Sequence, residues 1–158
     1  MVFLSYPAVA KDLPTLKAAL SHNFAKFTQW PVDAQPEDSW KICYFGEEYT
    51  AGFKALSSKK LKGMPIQIDQ LRNVEQAINC HSVFIGSKNR RLLQRLFITL
   101  QHAPTLTISD IPGFIDQSGM IELVSNEQRL KFKVNQVELE RAKLSISSQV
   151  LKLALEVK

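Results

Sequence analysis

Long apolar runs are missing from this chain. Charged residues interrupt each one before it reaches the roughly 18 residues that a membrane-spanning helix needs, which excludes a polytopic membrane protein. Glycine is scarce, at six in 158 residues, and no glycine-rich phosphate loop is present. The turn where such a loop would follow the first strand reads Phe45-Gly46-Glu47-Glu48-Tyr49, one glycine with two carboxylates. Those charges repel a phosphate from the helix N-terminus that would otherwise attract it, which argues against a Rossmann or P-loop cofactor site. The third strand ends in Gly86-Ser87, so the aspartate of a phospho-receiver is lacking as well. The three histidines, His22, His81 and His102, fall on three different elements with no ligand spacing between them, and a zinc site has little support. Asp110 and Asp116 flank a Pro112-Gly113 turn and read as loop-capping acids, because no nucleophile or metal cluster lies nearby. No catalytic residue, metal or cofactor is assigned, and the chain reads as a protein that is not an enzyme.

What is present is globular. A hydrophobic fraction of 45% with 22% charged residues matches a soluble domain. At this length one domain buries roughly 70% of the surface of its unfolded chain, so it needs no staple merely to fold. The formal charge of +5 is concentrated: Lys54 to Arg95 holds nine cations and two acids, a local excess of +7. Such a face suits nucleic acid, anionic lipid or an acidic partner. No aromatic residue is interleaved with the cations as a stacking platform requires, so nucleic acid is not expected. Solvated lysines on helix faces are the plainer reading.

Residues 1–10 are almost wholly apolar and end in Ala8-Val9-Ala10 before Lys11-Asp12, like the tail of a secretory leader whose basic n-region is missing. Residues 1–10 are therefore expected to be a signal-peptide remnant and 11–158 a single domain. From Asp12, Pro14 and the apolar series Leu16, Ala19, Leu20, Phe24, Phe27 predict one helix that stops at Trp30-Pro31. Trp40–Phe45, Pro65–Ile68, Cys80–Gly86 and Thr105–Ile108 predict strands, with helices over Glu47–Leu56, Asn73–Ile78 and Lys88–Leu100. Met120–Val124 and Leu130–Val134 are strands joined too closely for anything but an antiparallel hairpin. Asn135 caps a helix from Gln136, and Ser147 or Ser148 caps a last one. The expected fold is a three-layer α/β domain: a mixed, mainly parallel sheet flanked by helices, with a C-terminal antiparallel hairpin.

Cys43 and Cys80 are the only cysteines, each in a predicted strand. An even count in an exported chain suggests a bridge, and closing a loop of roughly 38 residues would stabilise by about 4 kcal/mol. Two buried free thiols are the alternative. For partner contacts the candidates are the turn Pro112, Gly113 and Phe114, which could present an aromatic side chain, and the stretch Ser147–Leu153 with Gln149 at its exposed face. Against this, Phe114 and Leu151 would also serve as core residues.

Several segments together resemble the YfiR-like family of small periplasmic proteins, also represented by HmsC. The segments are Leu16–Leu20, Asn23–Pro31, Lys41-Ile42-Cys43, Cys80–Ile85, Leu106–Asp110, Pro112-Gly113-Phe114, Gly119-Met120-Ile121, Phe132, Asn135 and Ser147–Ala154. The resemblance runs from about Leu16 to Ala154. It implies a non-enzymatic periplasmic regulator that represses an inner-membrane diguanylate cyclase through its periplasmic region, lowering cyclic-di-GMP and biofilm formation. It also implies an outer-membrane-associated lipoprotein able to sequester the repressor, and leaves a homodimer open. Cys43 and Cys80 fall on the family's disulfide positions. A second, C-terminal disulfide of some members has no counterpart, and Ser118-Gly119 replaces the usual glycine pair. A periplasmic small-ligand-binding module is the alternative function. A closed polar pocket would favour it, whereas an exposed apolar patch would favour the partner-binding regulator.

Overall fold

Trp40–Phe45 is a run of β-formers in which every residue except Lys41 is buried. A strand that is apolar on both faces belongs in the middle of a covered sheet. The computed structural model, which describes residues 13–126 and 129–158, places it there. The elements are α1 (Leu13–Lys26), β1 (Thr28–Gln29), β2 (Trp40–Phe45), α2 (Thr50–Lys54), β3 (Lys60–Leu61), β4 (Met64–Gln70), β5 (Ser82–Ile85), α3 (Leu93–Thr99), β6 (Leu106–Ser109), β7 (Ile121–Asn126), β8 (Arg129–Val134), α4 (Gln136–Arg141), β9 (Ser145–Ile146), α5 (Ser148–Leu151) and β10 (Glu156–Val157). Short 3-10 turns fill several connections, among them Val74–Asn79, Ser87–Leu92 and Phe114–Gln117.

The main sheet has eight strands in the order β10-β8-β7-β6-β5-β2-β4-β3. β4, β2, β5, β6 and β7 run parallel, and β7 and β8 form the expected antiparallel hairpin, from Ile121↔Val134 to Asn126↔Arg129. Alternation along the strands sorts the core into two layers. Ile42, Tyr44 and Phe84 join Leu20, Phe24, Phe53 and Phe132 on one face. Cys43, Phe45, Val83 and Ile85 meet Val74, Ala77, Leu93, Leu96 and Phe114 on the other. Helical segments thus cover both faces, as the strand pattern requires.

Three departures from the sequence reading have local causes. The first helix ends at Lys26 rather than at Trp30: the Thr28 hydroxyl donates to the Phe24 carbonyl at 2.7 Å, and Thr28–Gln29 pairs antiparallel with Ser145–Ile146. Only the first part of Lys88–Leu100 departs from α-helix, with Asn89 in a non-helical conformation before α3 begins at Leu93. The last helix is one turn long, since after Leu151 the chain runs out to β10 beside β8, a strand too short to announce itself by periodicity. Lys62 and Gly63 have φ of 50° and 80°, the left-handed pair that joins β3 tightly to β4. The leader expected over residues 1–10 lies outside the described residues.

Candidate functional site

β2 is left toward β4 on one side, and the chain then crosses over to β5 on the other, so the strand order reverses between β2 and β5. Doubly wound sheets bind ligands in the crevice outside the carboxyl ends of the strands at such a reversal. Here the two strand ends are followed by Gly46 and Gly86, and the chain fills the crevice with its own Tyr49. A Cβ on Gly86 would overlap the Tyr49 ring, which explains glycine there. The ring is buried and meets Phe84 edge-on at 4.7 Å between centroids. Its hydroxyl donates to Asp110 Oδ2 at 2.5 Å, just past the end of β6, and Lys17 Nζ of α1 reaches the same oxygen at 2.7 Å. Burial, and next the Asp110 bond, hold the Tyr49 hydroxyl's pKa well above the phenol range, so it stays a neutral donor. Asp110 Oδ1 is buried with no hydrogen bond among the described residues.

A second concavity of about 600 Å³ opens between α3, the start of β6, the turn near Ser118 and α4. Phe97, Leu100, Met120 and Ala142 give it apolar walls, and Gln101 and His102 line it with polar groups. The Arg141 guanidinium forms an ion pair with Glu138 at 2.6 Å beside it. Among the described residues no three His, Cys, Asp or Glu side chains are grouped as metal ligands.

The candidate residues read from the sequence are placed as follows. Cys43 and Cys80 are bonded, with Cα atoms 6.1 Å apart. Cys80 is not inside a strand: it ends the 3-10 turn Val74–Asn79 and leads into β5, so the bond ties that covering turn to the sheet. Pro112 and Gln149 are exposed and Gly113 is half-buried with φ 83°. Phe114 is fully buried against Phe97, with ring centroids 5.5 Å apart, which corrects the expectation that the turn presents it to a partner. A Cβ on Gly119 would overlap its ring, so the Ser118-Gly119 corner is shaped around this packing. The buried Glu122 carboxylate accepts from the Gly113 and Ile115 N–H groups at 3.1 and 3.2 Å, which holds the turn rigid. Phe114→Ala is therefore expected to cost about 3–5 kcal/mol of stability. Urea denaturation checks this, and an unchanged midpoint would return Phe114 to the contact candidates.

Asp110 and Asp116 are not a pair, since Asp110 serves Tyr49 and Lys17 while Asp116 meets Lys158 at 2.8 Å. Sequence reading missed Lys17, Tyr49 and Glu122. The one local sign was a glycine at the end of each of two strands that the fold makes neighbours.

His22 and His81 have structural duties. His22 Nε2 lies 3.0 Å from the Lys60 carbonyl, and His81 Nδ1 accepts the Lys41 N–H at 2.9 Å. Burial lowers both pKa values, helped by Lys26 and Lys59 at His22 and by Lys41 at His81. The unfolded chain then binds protons first, so this contribution to stability is complete above about pH 6.5 and is lost as pH falls through the folded values. The urea midpoint should be lower at about pH 5 than at about pH 7.5. The double variant His22→Gln/His81→Asn should narrow that difference, and an unaltered pH dependence would refute the assignment.

A family model described as YfiR/HmsC-like matches residues 14–155. The chain belongs to this family. Among the described residues of this YfiR/HmsC-like chain, no helix is long and apolar enough to cross a membrane. No curated protein sequence matches it. Two solved structures share its fold: an ABC domain from Streptococcus pneumonia in complex with L-Trp, at TM-score 0.60 and 10% identity over 90% of this chain, and a conserved domain protein from Vibrio cholerae O1 biovar eltor, at TM-score 0.58 and 12% identity over 77%. The YfiR/HmsC-like chain spans 60% and 55% of the length of those two proteins.

Proposed function

We propose that this YfiR/HmsC-like chain is a non-enzymatic periplasmic repressor that binds the periplasmic region of a membrane-anchored diguanylate cyclase and lowers cyclic-di-GMP and biofilm formation. The observation that carries the reading is the family match from residue 14 to 155. The filled crevice supports it, because Tyr49 occupies the position where a doubly wound domain would hold a small ligand. Surface rather than pocket is then the resource for recognition. Pro112, Gly113 and Gln149 remain as contact candidates, with an outer-membrane-associated lipoprotein as a competing partner. The repressor acts by occupancy: bound to the cyclase it holds the enzyme in its low-output state, and sequestration releases it.

Deleting the gene is expected to raise cellular cyclic-di-GMP and biofilm several-fold, with restoration by a copy carrying an export leader and none by a copy lacking it. A charge introduced by Gln149→Glu should weaken binding of the purified protein to the cyclase's periplasmic region without altering its melting temperature. No binding together with an unchanged nucleotide level would sink the repressor reading. The second reading, a periplasmic small-ligand-binding module, rests on the concavity of about 600 Å³ beside Phe97 and Arg141, a volume within the range of small-molecule sites.

A further inference from the structure

The end of α1 and the β3-β4 hairpin bring together cations that are far apart in sequence. Lys26 is the last residue of α1, Lys59 and Lys60 enter β3, and Lys62 sits in the hairpin turn. Lys62 Nζ donates to the Lys26 carbonyl at 3.1 Å, and His22 Nε2 lies 3.0 Å from the Lys60 carbonyl, which draws the helix end and the hairpin into one surface. All four lysines are exposed. None of the ion pairs among the described residues includes any of them. The charges acting on His22 come from Lys26 and Lys59.

Guarding the sheet edge does not account for this. β3 is the terminal strand of the sheet, and lysines carried on an edge strand discourage pairing with another sheet. Four cations converge here, one of them contributed by a helix rather than by the edge strand.

We propose that Lys26, Lys59, Lys60 and Lys62 form a docking face for the anionic headgroup layer of a phospholipid bilayer. The choice of lipid over an acidic protein segment follows from the side chains and the shape. Lysine is a compact, hydrated charge on a flexible stem, suited to a diffuse anionic layer, whereas fixed carboxylates favour the planar fork of arginine. Lys60 and Lys62 stand on the β3-β4 hairpin, where Gly63 has open space around it, so a broad surface can approach them. The segment from Lys54 to Met64 contains no aromatic residue, so contact is electrostatic and superficial rather than inserted. Such docking would concentrate the protein at the membrane that bears its proposed partner. It goes beyond the repressor reading, and its test contains no cyclase.

The full chain is sedimented with vesicles of phosphatidylglycerol mixed into phosphatidylcholine, and with pure phosphatidylcholine. Binding is expected only to the anionic vesicles, to fall steeply with added salt, and to resist competition by soluble glycerol phosphate. Each lysine near the surface contributes about fivefold, so Lys26→Gln/Lys59→Gln/Lys60→Gln should bind about a hundredfold more weakly. Lys62 is left in place because it holds the last carbonyl of α1. A control that removes equal charge elsewhere, Lys88→Gln/Arg91→Gln/Lys152→Gln, should bind within about twofold of the native chain. The proposal is overturned if native protein ignores anionic vesicles, if the control loses as much as the hairpin variant, or if the hairpin variant binds undiminished. Retention of the native chain but not the hairpin variant on immobilised polyglutamate, with no vesicle binding by the native chain, would assign the face to an acidic protein and likewise overturn it.

Discussion

Replacing Cys43 and Cys80 together by alanine is expected to lower the unfolding free energy by about 4 kcal/mol, the chain-entropy value for the 37-residue separation that the bond closes. For a domain of this size that corresponds to a fall of about 10 °C in melting temperature. The bond lies in the core layer on the α3 face, with Cys43 at 0% and Cys80 at 5% exposure, so solvent reaches it poorly. It fastens the Val74–Asn79 turn over β2, and that turn carries Val74 and Ala77 into the same layer. Its loss should loosen the turn before the sheet, and hydrogen exchange across residues 74–80 would show the order. Reduction of the native protein should reproduce the shift. Mass spectrometry finding two free thiols in the non-reduced protein, or an unchanged melting temperature in the double variant, would refute its structural weight.

The second large effect is expected at Tyr49. Tyr49→Ala removes a buried ring from the reversal crevice and takes a donor from Asp110, at a cost of about 3–5 kcal/mol. Tyr49→Phe keeps the ring and leaves Asp110 its Lys17 partner, so only the hydroxyl's bond to a charged group is lost, about 2 kcal/mol. Gly86→Ala should act through the same ring, because the added methyl claims the space it occupies. The ranking alanine worse than phenylalanine is the informative result. Equal urea midpoints for native protein and Tyr49→Ala would mean that the crevice closes by other means, and the argument that the site is filled by the chain itself would fail.

Particular residues show how far local pattern reaches. Trp40–Phe45 declares a central strand by itself, since five of its six residues are apolar β-formers lying on both faces, and Met120–Val134 declares a hairpin by the shortness of its connection. The Lys62-Gly63 turn and the Asn135 cap are equally local, the latter realised by its side chain accepting the Glu138 N–H at 3.1 Å. Phe114 stays open on local pattern, because an aromatic beside Pro-Gly suits a presented tip as well as a core position. Its burial depends on Phe97, in another helix, and on room left by Gly119.

What the chain alone determined is therefore its class: alternating strands and helices around a mainly parallel sheet, a closing hairpin, a family resemblance running almost end to end, and two cysteines able to bond. Only the tertiary structure decided that Tyr49 fills the crevice, that Asp110 answers to Lys17 rather than Asp116, that Thr28–Gln29 pairs with Ser145–Ile146, and that Lys26 joins the hairpin lysines. The physical reason is separation. Periodicity and turn chemistry are set by residues within a few positions of one another, whereas these contacts join residues 36 or more positions apart, and nothing in either segment encodes the other until the sheet order brings them together.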